Sequence, residues 1–240
     1  MNAATTVSAL ERFCETHAED RGHDLAAVFV SISETAQLEP SWLGPRECER
    51  LAGLRIAKRR RDWLAGRRAA KLALTRLLGN EPPGELDVLP GASGAPGVHW
   101  LKRPLAGVGV SIVHSHDLAG ALAWRGDGAG PGLDLERVEP LHDAMLALAL
   151  NAAELGYVNR GAGPLRTVRA LRLWTAKEAV LKSRGVGLRW PLRSVRVEPA
   201  AGRVAWAAEA AEPATGTVST FEVVGEPLGD YVVSVAFPIE

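Results

Sequence analysis

The sequence predicts an α+β fold arranged in two halves. Short strand-like runs suited to hairpins mix with helical stretches, without a regular strand–helix–strand alternation. A Gly-Asp-Gly-Ala-Gly-Pro-Gly run at 126–132 interrupts the middle and divides the chain into 1–125 and 126–240. At 240 residues, 47% hydrophobic and 23% charged, the chain can bury one large core or two smaller ones, and wholesale disorder is excluded.

In chain order, residues 25–33 read as an early buried strand, and Pro40 with Gly44-Pro45 marks a turn. From 46 to 78, Leu51, Leu54, Trp63, Leu64, Leu72, Leu74, Leu77 and Leu78 recur at three and four, which predicts a helix. Gly79-Asn80 and Pro82-Pro83 stop it. The Gly- and Pro-rich stretch 79–106 predicts a long, mostly irregular connection with short strands at 86–89 and 98–101. Two strands, 107–113 and 118–124, then flank a His114-Ser115-His116 turn. Helices are expected at 141–160 and 165–184, and antiparallel strands over 192–240. No internal repeat is visible in the sequence.

No run of 18 apolar residues exists, so a membrane helix is not expected. The acidic start (Glu11, Glu15, Glu19, Asp20, Asp24) does not read as a secretory signal. Cys14 and Cys48 form neither a metal spacing nor a disulfide framework, so a reducing cytoplasm is expected. The 28 basic and 28 acidic residues cancel but are segregated. Residues 46–76 hold eleven Arg or Lys against three acids, and 160–196 ten against one. This points to a local anionic ligand rather than a wholly basic nucleic-acid binder, although solvated arginines on Ala-rich helices would also account for it.

Four features could carry chemistry. Asp134 and Glu136 are two apart on a strand, so both carboxylates face one way and can reach a hard cation such as magnesium; a solvated strand end fits as well. Trp174, Glu178 and Lys182 share a helix face at i, i+4 and i+8, where Glu178 could be a third metal ligand and Lys182 could meet a phosphate; an ordinary surface ion pair under a buried Trp also fits. His114 and Ser115 close a strand and can contact phosphate. The stretch from Arg59 to Lys71 is a basic helix with one Trp. The glycines at 126–132 precede a strand-like segment rather than open a helix, and no G-x-S-x-G or Walker loop appears. Dinucleotide, hydrolase and kinase readings are therefore set aside.

Together and in this order, the four resemble the 4'-phosphopantetheinyl transferases of the surfactin-synthetase-activating type. That family has a basic helix ending in Gly-Arg-x-Ala-Ala-Lys, a Ser-His-Ser turn, a G-x-D-x-E strand and a W-x-x-K-E-[Ser/Ala]-x-x-K helix. The counterparts here lie at 66–71, 114–115, 132–136 and 174–182, continued by Gly185-Val186-Gly187-Leu188. The resemblance spans about residues 40 to 240. It implies two similar α+β halves related by a pseudo-twofold axis, with coenzyme A held between them. It implies transfer of the phosphopantetheine arm of coenzyme A to a serine of an apo acyl, peptidyl or aryl carrier protein, releasing adenosine 3',5'-bisphosphate. Magnesium is needed, and the enzyme is expected to be a cytoplasmic monomer with no membrane or nucleic-acid partner.

By position, the resemblance assigns Asp134, Glu136 and Glu178 to magnesium, Lys182 to the leaving phosphate, and His114 with Ser115 to coenzyme A. Arg46, Arg50 and Arg59 with its neighbours Arg60 and Arg61 are the candidates for the 3'-phosphate, and Arg67 is a further coenzyme A-binding candidate. Glu154, in Asn151-Ala152-Ala153-Glu154, stands where the family carries the general base, though an acid at a helix start is also ordinary. Lys177 is a candidate helper beside Glu178. Two departures stand out: Gly94-Ala95-Pro96 replaces the usual Gly-Lys-Pro or Gly-Arg-Pro, so Ala95 and Pro96 line that corner without its cation, and Val113 replaces the first serine of the turn. The stretch 160–172 with Leu165, Val168 and Leu171 is a candidate rim for an acidic carrier, or a core helix. The rival function is a catalytically impaired relative that binds coenzyme A or carrier without transfer.

Overall fold

Gly126 and Gly128 take φ angles of 146° and 87°, a backbone that side-chain-bearing residues avoid, and the chain passes there from one unit to the next. The units are Met1–Gly128 and Ala129–Glu240. The structure, a computed structural model, describes residues 3–79, 86–200 and 205–239. The predicted helix stop at Asn80, Pro82 and Pro83, and the part of the expected strand at 202–204, lie outside the described residues.

Unit 1 contains α1 (Ala3–Glu19), β1 (Leu25–Ser31), α2 (Ile32–Thr35), α3 (Pro45–Ala52), α4 (Ala57–Leu78), β2 (Leu86–Pro90), β3 (Pro96–Trp100), β4 (Arg103–Pro104), β5 (Val108–Ser115) and β6 (Leu118–Arg125). Its strands form antiparallel sheets ordered β1-β6-β5 and β2-β3-β4. Ala69, Ala70, Ala73 and Leu74 of α4 pack on Val28, Val110, Ala121 and Ala123; the small helix residues bring the helix close to the sheet. Helix α1 was not expected. Its buried face, Thr6, Leu10, Phe13, Cys14 and Ala18, follows helical spacing, but polar neighbours dilute it. Glu15 and Glu11 of α1 accept the N–H groups of Ala27 and Phe29 at 3.1 Å each, along the side of β1 away from β6. Arg76 of α4 donates to Ala27 O at 2.7 Å and meets both glutamates.

Unit 2 contains β7 (Gly132–Arg137), α5 (Asp143–Ala149), α6 (Ala152–Asn159), α7 (Gly163–Ser183), β8 (Val195–Glu198), β9 (Ala205–Ala211), β10 (Val218–Leu228) and β11 (Tyr231–Ile239). All its strands join one antiparallel sheet, β7-β11-β10-β9-β8. Helix α7 buries Ala170, Leu173, Ala176, Ala179 and Val180 in a core shared with Phe221, Val223 and Ala236. Gly132 makes the close approach of α7 to β7 possible: a Cβ there would sit 2.0 Å from Ala179 O and 2.5 Å from Ser183 N.

Two long helices expected from periodicity are each broken. Gly53 ends α3 before α4 starts, and Asn151 caps α6 after α5 has ended at Leu150. The Asn151 side chain accepts from Glu154 N–H, and the Glu154 carboxylate accepts from Asn151 N–H. The order of elements also recurs. A strand, a short helix leading to a long one, a strand pair and a final hairpin appear as β1, α3–α4, β2–β3, β5–β6, and again as β7, α6–α7, β8–β9, β10–β11. Among the described residues, no helix is long and apolar enough to cross a membrane.

Candidate active site

Strand β7 and helix α7 assemble the acidic cluster of unit 2. Asp134 is only 2% exposed, and its register partner on β11 is Ser234. Thr175 of α7 and Ser234 of β11 share a hydrogen bond of 2.7 Å that their sequence positions do not announce; the packing of α7 on β11 brings them together. Glu136 and Glu178 are half-buried, and Lys182 reaches Asp134 Oδ1 at 2.5 Å.

The electrostatics follow from burial. Burial pushes the Asp134 carboxyl up to about 8; Glu178 and Glu136 add to the rise, while Lys182 opposes it. Burial works against the charge on Lys182, but Asp134, Glu178 and Glu136 outweigh it and raise its affinity for the proton. Three acidic side chains thus gather around one ammonium. Asp134 Oδ2 is buried without a hydrogen-bond partner among the described residues, an orphaned oxygen of the kind a cation satisfies. As arranged around Lys182, no group of three or more His, Cys, Asp or Glu among the described residues is ready-made for a metal ion. The all-oxygen donor set and the orphaned Asp134 Oδ2 nonetheless fit magnesium in kind.

Glu154 and Lys177 do not stand with this cluster as exposed groups. Glu154 is 0% exposed, and its carboxylate accepts from Asn151 N–H at 2.8 Å and Val197 N–H at 2.9 Å. Lys177 is also 0% exposed; it pairs with Glu154 at 2.8 Å and donates to Val195 O at 2.6 Å and Leu192 O at 3.3 Å. Of the expected rim, Leu171 is buried, Val168 half-buried and Leu165 exposed; Arg169 donates to Tyr157 O and Arg172 lies 4.0 Å from the Trp206 ring centre.

The remaining candidates belong to unit 1. His114 is exposed at the end of β5 and Ser115 is buried beside it. Arg46 and Arg50 lie on α3, half-buried and exposed, and Arg59 is exposed near the start of α4. Arg67 is buried, 4.9 Å from the Trp63 ring centre and 3.9 Å from Glu47; burial lowers its pKa to about 10. Ala95 and Pro96 are half-buried at the start of β3, where Gly91 N–H donates to Ala95 O and Gly94 takes a φ of 84°. Glu47, which the sequence did not single out, accepts from Gly44 N–H at 2.9 Å and Val88 N–H at 3.0 Å. It pairs with Lys71 at 2.7 Å, and Lys71 donates to Leu86 O at 2.6 Å.

Residues 130–236 match the family model of the 4'-phosphopantetheinyl transferase superfamily. No curated protein matches the chain. Among solved structures, a holo-(acyl-carrier-protein) synthase from Bacillus anthracis str. Ames in complex with CoA (3',5'-ADP) is similar, at 20% identity and a TM-score of 0.37, over 44% of this chain and 96% of that one. The family match, not that likeness, bears on function.

Proposed function

We propose that the chain is a 4'-phosphopantetheinyl transferase that moves the phosphopantetheine arm of coenzyme A to a serine of an apo carrier protein. The observation that carries this reading is the meeting of Asp134, Glu136, Glu178 and Lys182 on one strand and one helix, inside the region that matches the superfamily.

In the reaction, the serine oxygen attacks the phosphorus joined to the pantetheine arm. The bond from that phosphorus to the bridging pyrophosphate oxygen breaks, adenosine 3',5'-bisphosphate leaves, and the serine proton is released. Asp134, Glu136 and Glu178 would hold magnesium, which neutralises pyrophosphate charge when bound. Lys182 is drawn to these acids, and its ammonium can stabilise or protonate the leaving phosphate. His114 and Ser115 are the candidates for a coenzyme A phosphate, and Arg46, Arg50 and Arg59 for the 3'-phosphate, with Arg67 a further coenzyme A-binding candidate. Ala95 supplies no cation at its corner, which leaves that charge to neighbours such as Lys102 or Arg103.

The test is the intact mass of an apo carrier protein after incubation with the protein, coenzyme A and magnesium. A magnesium-dependent gain of about 340 Da, the arm expected from positioned phosphate chemistry, is the predicted result. No gain with acyl, peptidyl and aryl carriers, while coenzyme A still binds, would favour the impaired-relative reading instead.

A further inference from the structure

We propose that Glu154 is a positioning residue rather than the base that takes the serine proton, an inference that rests on the transferase reading above. With Lys177 it forms a buried lock that sets the register of α7 against β8, and so places Glu178 and Lys182.

Glu154 is spent on contacts inside unit 2. Both carboxylate oxygens accept backbone N–H groups, one from the start of α6 and one from Val197 on β8, and the same carboxylate pairs with Lys177. Lys177 in turn donates to Val195 O, two residues before Val197 on the same strand. Three elements, α6, α7 and β8, are thereby fixed to one another through a single ion pair with no solvent exposure. Glu178 follows Lys177 directly, and Lys182 lies on the same helix, so a slip of α7 relative to β8 moves both.

Unit 1 repeats the device without the acids. Glu47 accepts from Gly44 N–H at the start of α3 and from Val88 N–H on β2. Lys71 of α4 pairs with Glu47 and donates to Leu86 O, again two residues before the strand residue that Glu47 binds. A glutamate whose contacts recur where no Asp–Glu–Glu cluster exists is explained by what it holds in place. A base must come within hydrogen-bond reach of the attacking hydroxyl, directly or through one water. Glu154 touches two backbone donors and a lysine.

The experiment uses the full chain with coenzyme A, magnesium and an apo carrier. The variants are Glu154→Gln, Lys177→Met, the double variant and Glu47→Gln, each followed by transfer kinetics, kcat/KM against pH and thermal melting. Positioning predicts that Glu154→Gln lowers kcat about 10- to 100-fold, the usual cost of losing a supporting partner of a ligand, and keeps the pH profile of the wild type. Lys177→Met shows a similar loss, which keeps the inference testable where Glu154→Gln fails to fold. The double variant regains both melting temperature and kcat relative to Glu154→Gln, because an unpaired buried charge is removed. Glu47→Gln melts lower but raises KM for coenzyme A, through Arg46 and Arg67, rather than lowering kcat. A double variant no more active than Glu154→Gln, with the acid limb of the pH profile abolished, overturns the inference and restores Glu154 as base. Absence of transfer by the wild type overturns the proposed function and this inference together, and is distinguishable because the variants are then not needed.

Discussion

Units 1 and 2 repeat an order of elements and put different residues on it. Counted from the hairpins that close at Ser115↔Leu118 and Leu228↔Tyr231, Asp134 and Glu136 of β7 correspond to Val28 and Val30 of β1. Counted from the lysines that hold the strand carbonyls, Glu178 and Lys182 correspond to Leu72 and Arg76. Where unit 2 gathers three acidic side chains around Lys182, unit 1 has two valines, a half-exposed leucine and an arginine held by Glu11 and Glu15 of α1. Each unit carries one buried Glu–Lys pair, and the acidic cluster sets unit 2 apart by a few residues at the edge strand and on one helix face.

Exchanging residues between the units tests that separation. Asp134→Val should reduce transfer by at least about 100-fold, as loss of a charge-stabilising group in a site of this kind does, with the folded state retained. The reverse exchange, Val28→Asp, buries a carboxylate that has no lysine to meet, and should cost unit 1 about 3 kcal/mol in a denaturant melt. If Val28→Asp is neutral, the correspondence between the edge strands fails.

A second exchange concerns packing. Gly132 corresponds to Ala26, which carries the Cβ that Gly132 lacks. Gly132→Ala would place its Cβ 2.0 Å from Ala179 O and should destabilise by about 2 kcal/mol, measured by the same melt. It should also lower transfer, because α7 carries Glu178 and Lys182.

The smallest expected effect is a pH slope. Asp134 holds its proton up to about 8 in the folded chain, whereas an ordinary unfolded Asp releases it near pH 4. The folded state therefore binds more protons between those values. Stability from this group is fully present below about pH 4 and is lost as pH rises toward about 8. Melting temperature without added metal should decline over that window, and Asp134→Asn should flatten the decline.

Much of the acidic cluster was legible because its logic is local. A period of two placed Asp134 with Glu136, and a period near 3.6 placed Glu178 with Lys182. The meeting of strand and helix depends on Gly132 and on the packing of α7, which no spacing within either segment encodes. Glu154 shows the limit from the other side. Asn151 followed three residues later by Glu154 is a helix-start signature, and position in the sequence left that role and the reactant role both open. The recurrence of elements was hidden because the shared device is a single Glu and a single Lys in each unit, while the second strand pair forms its own sheet in unit 1 and joins the main sheet in unit 2. Helix α1 escaped notice because Glu11 and Glu15 were read only as part of an acidic start, when they are acceptors for a strand.

That use of Glu11 and Glu15 bears on the order in which the chain is made. Strand β1 leaves the ribosome long before β6, the partner it will pair with, and an unpaired strand is a template for the wrong chain. The residues that cover its other side are already outside, since α1 precedes it. Half of the hydrogen-bonding side of the first strand can thus be claimed by a short-range neighbour during synthesis, leaving one side for the later hairpin to find.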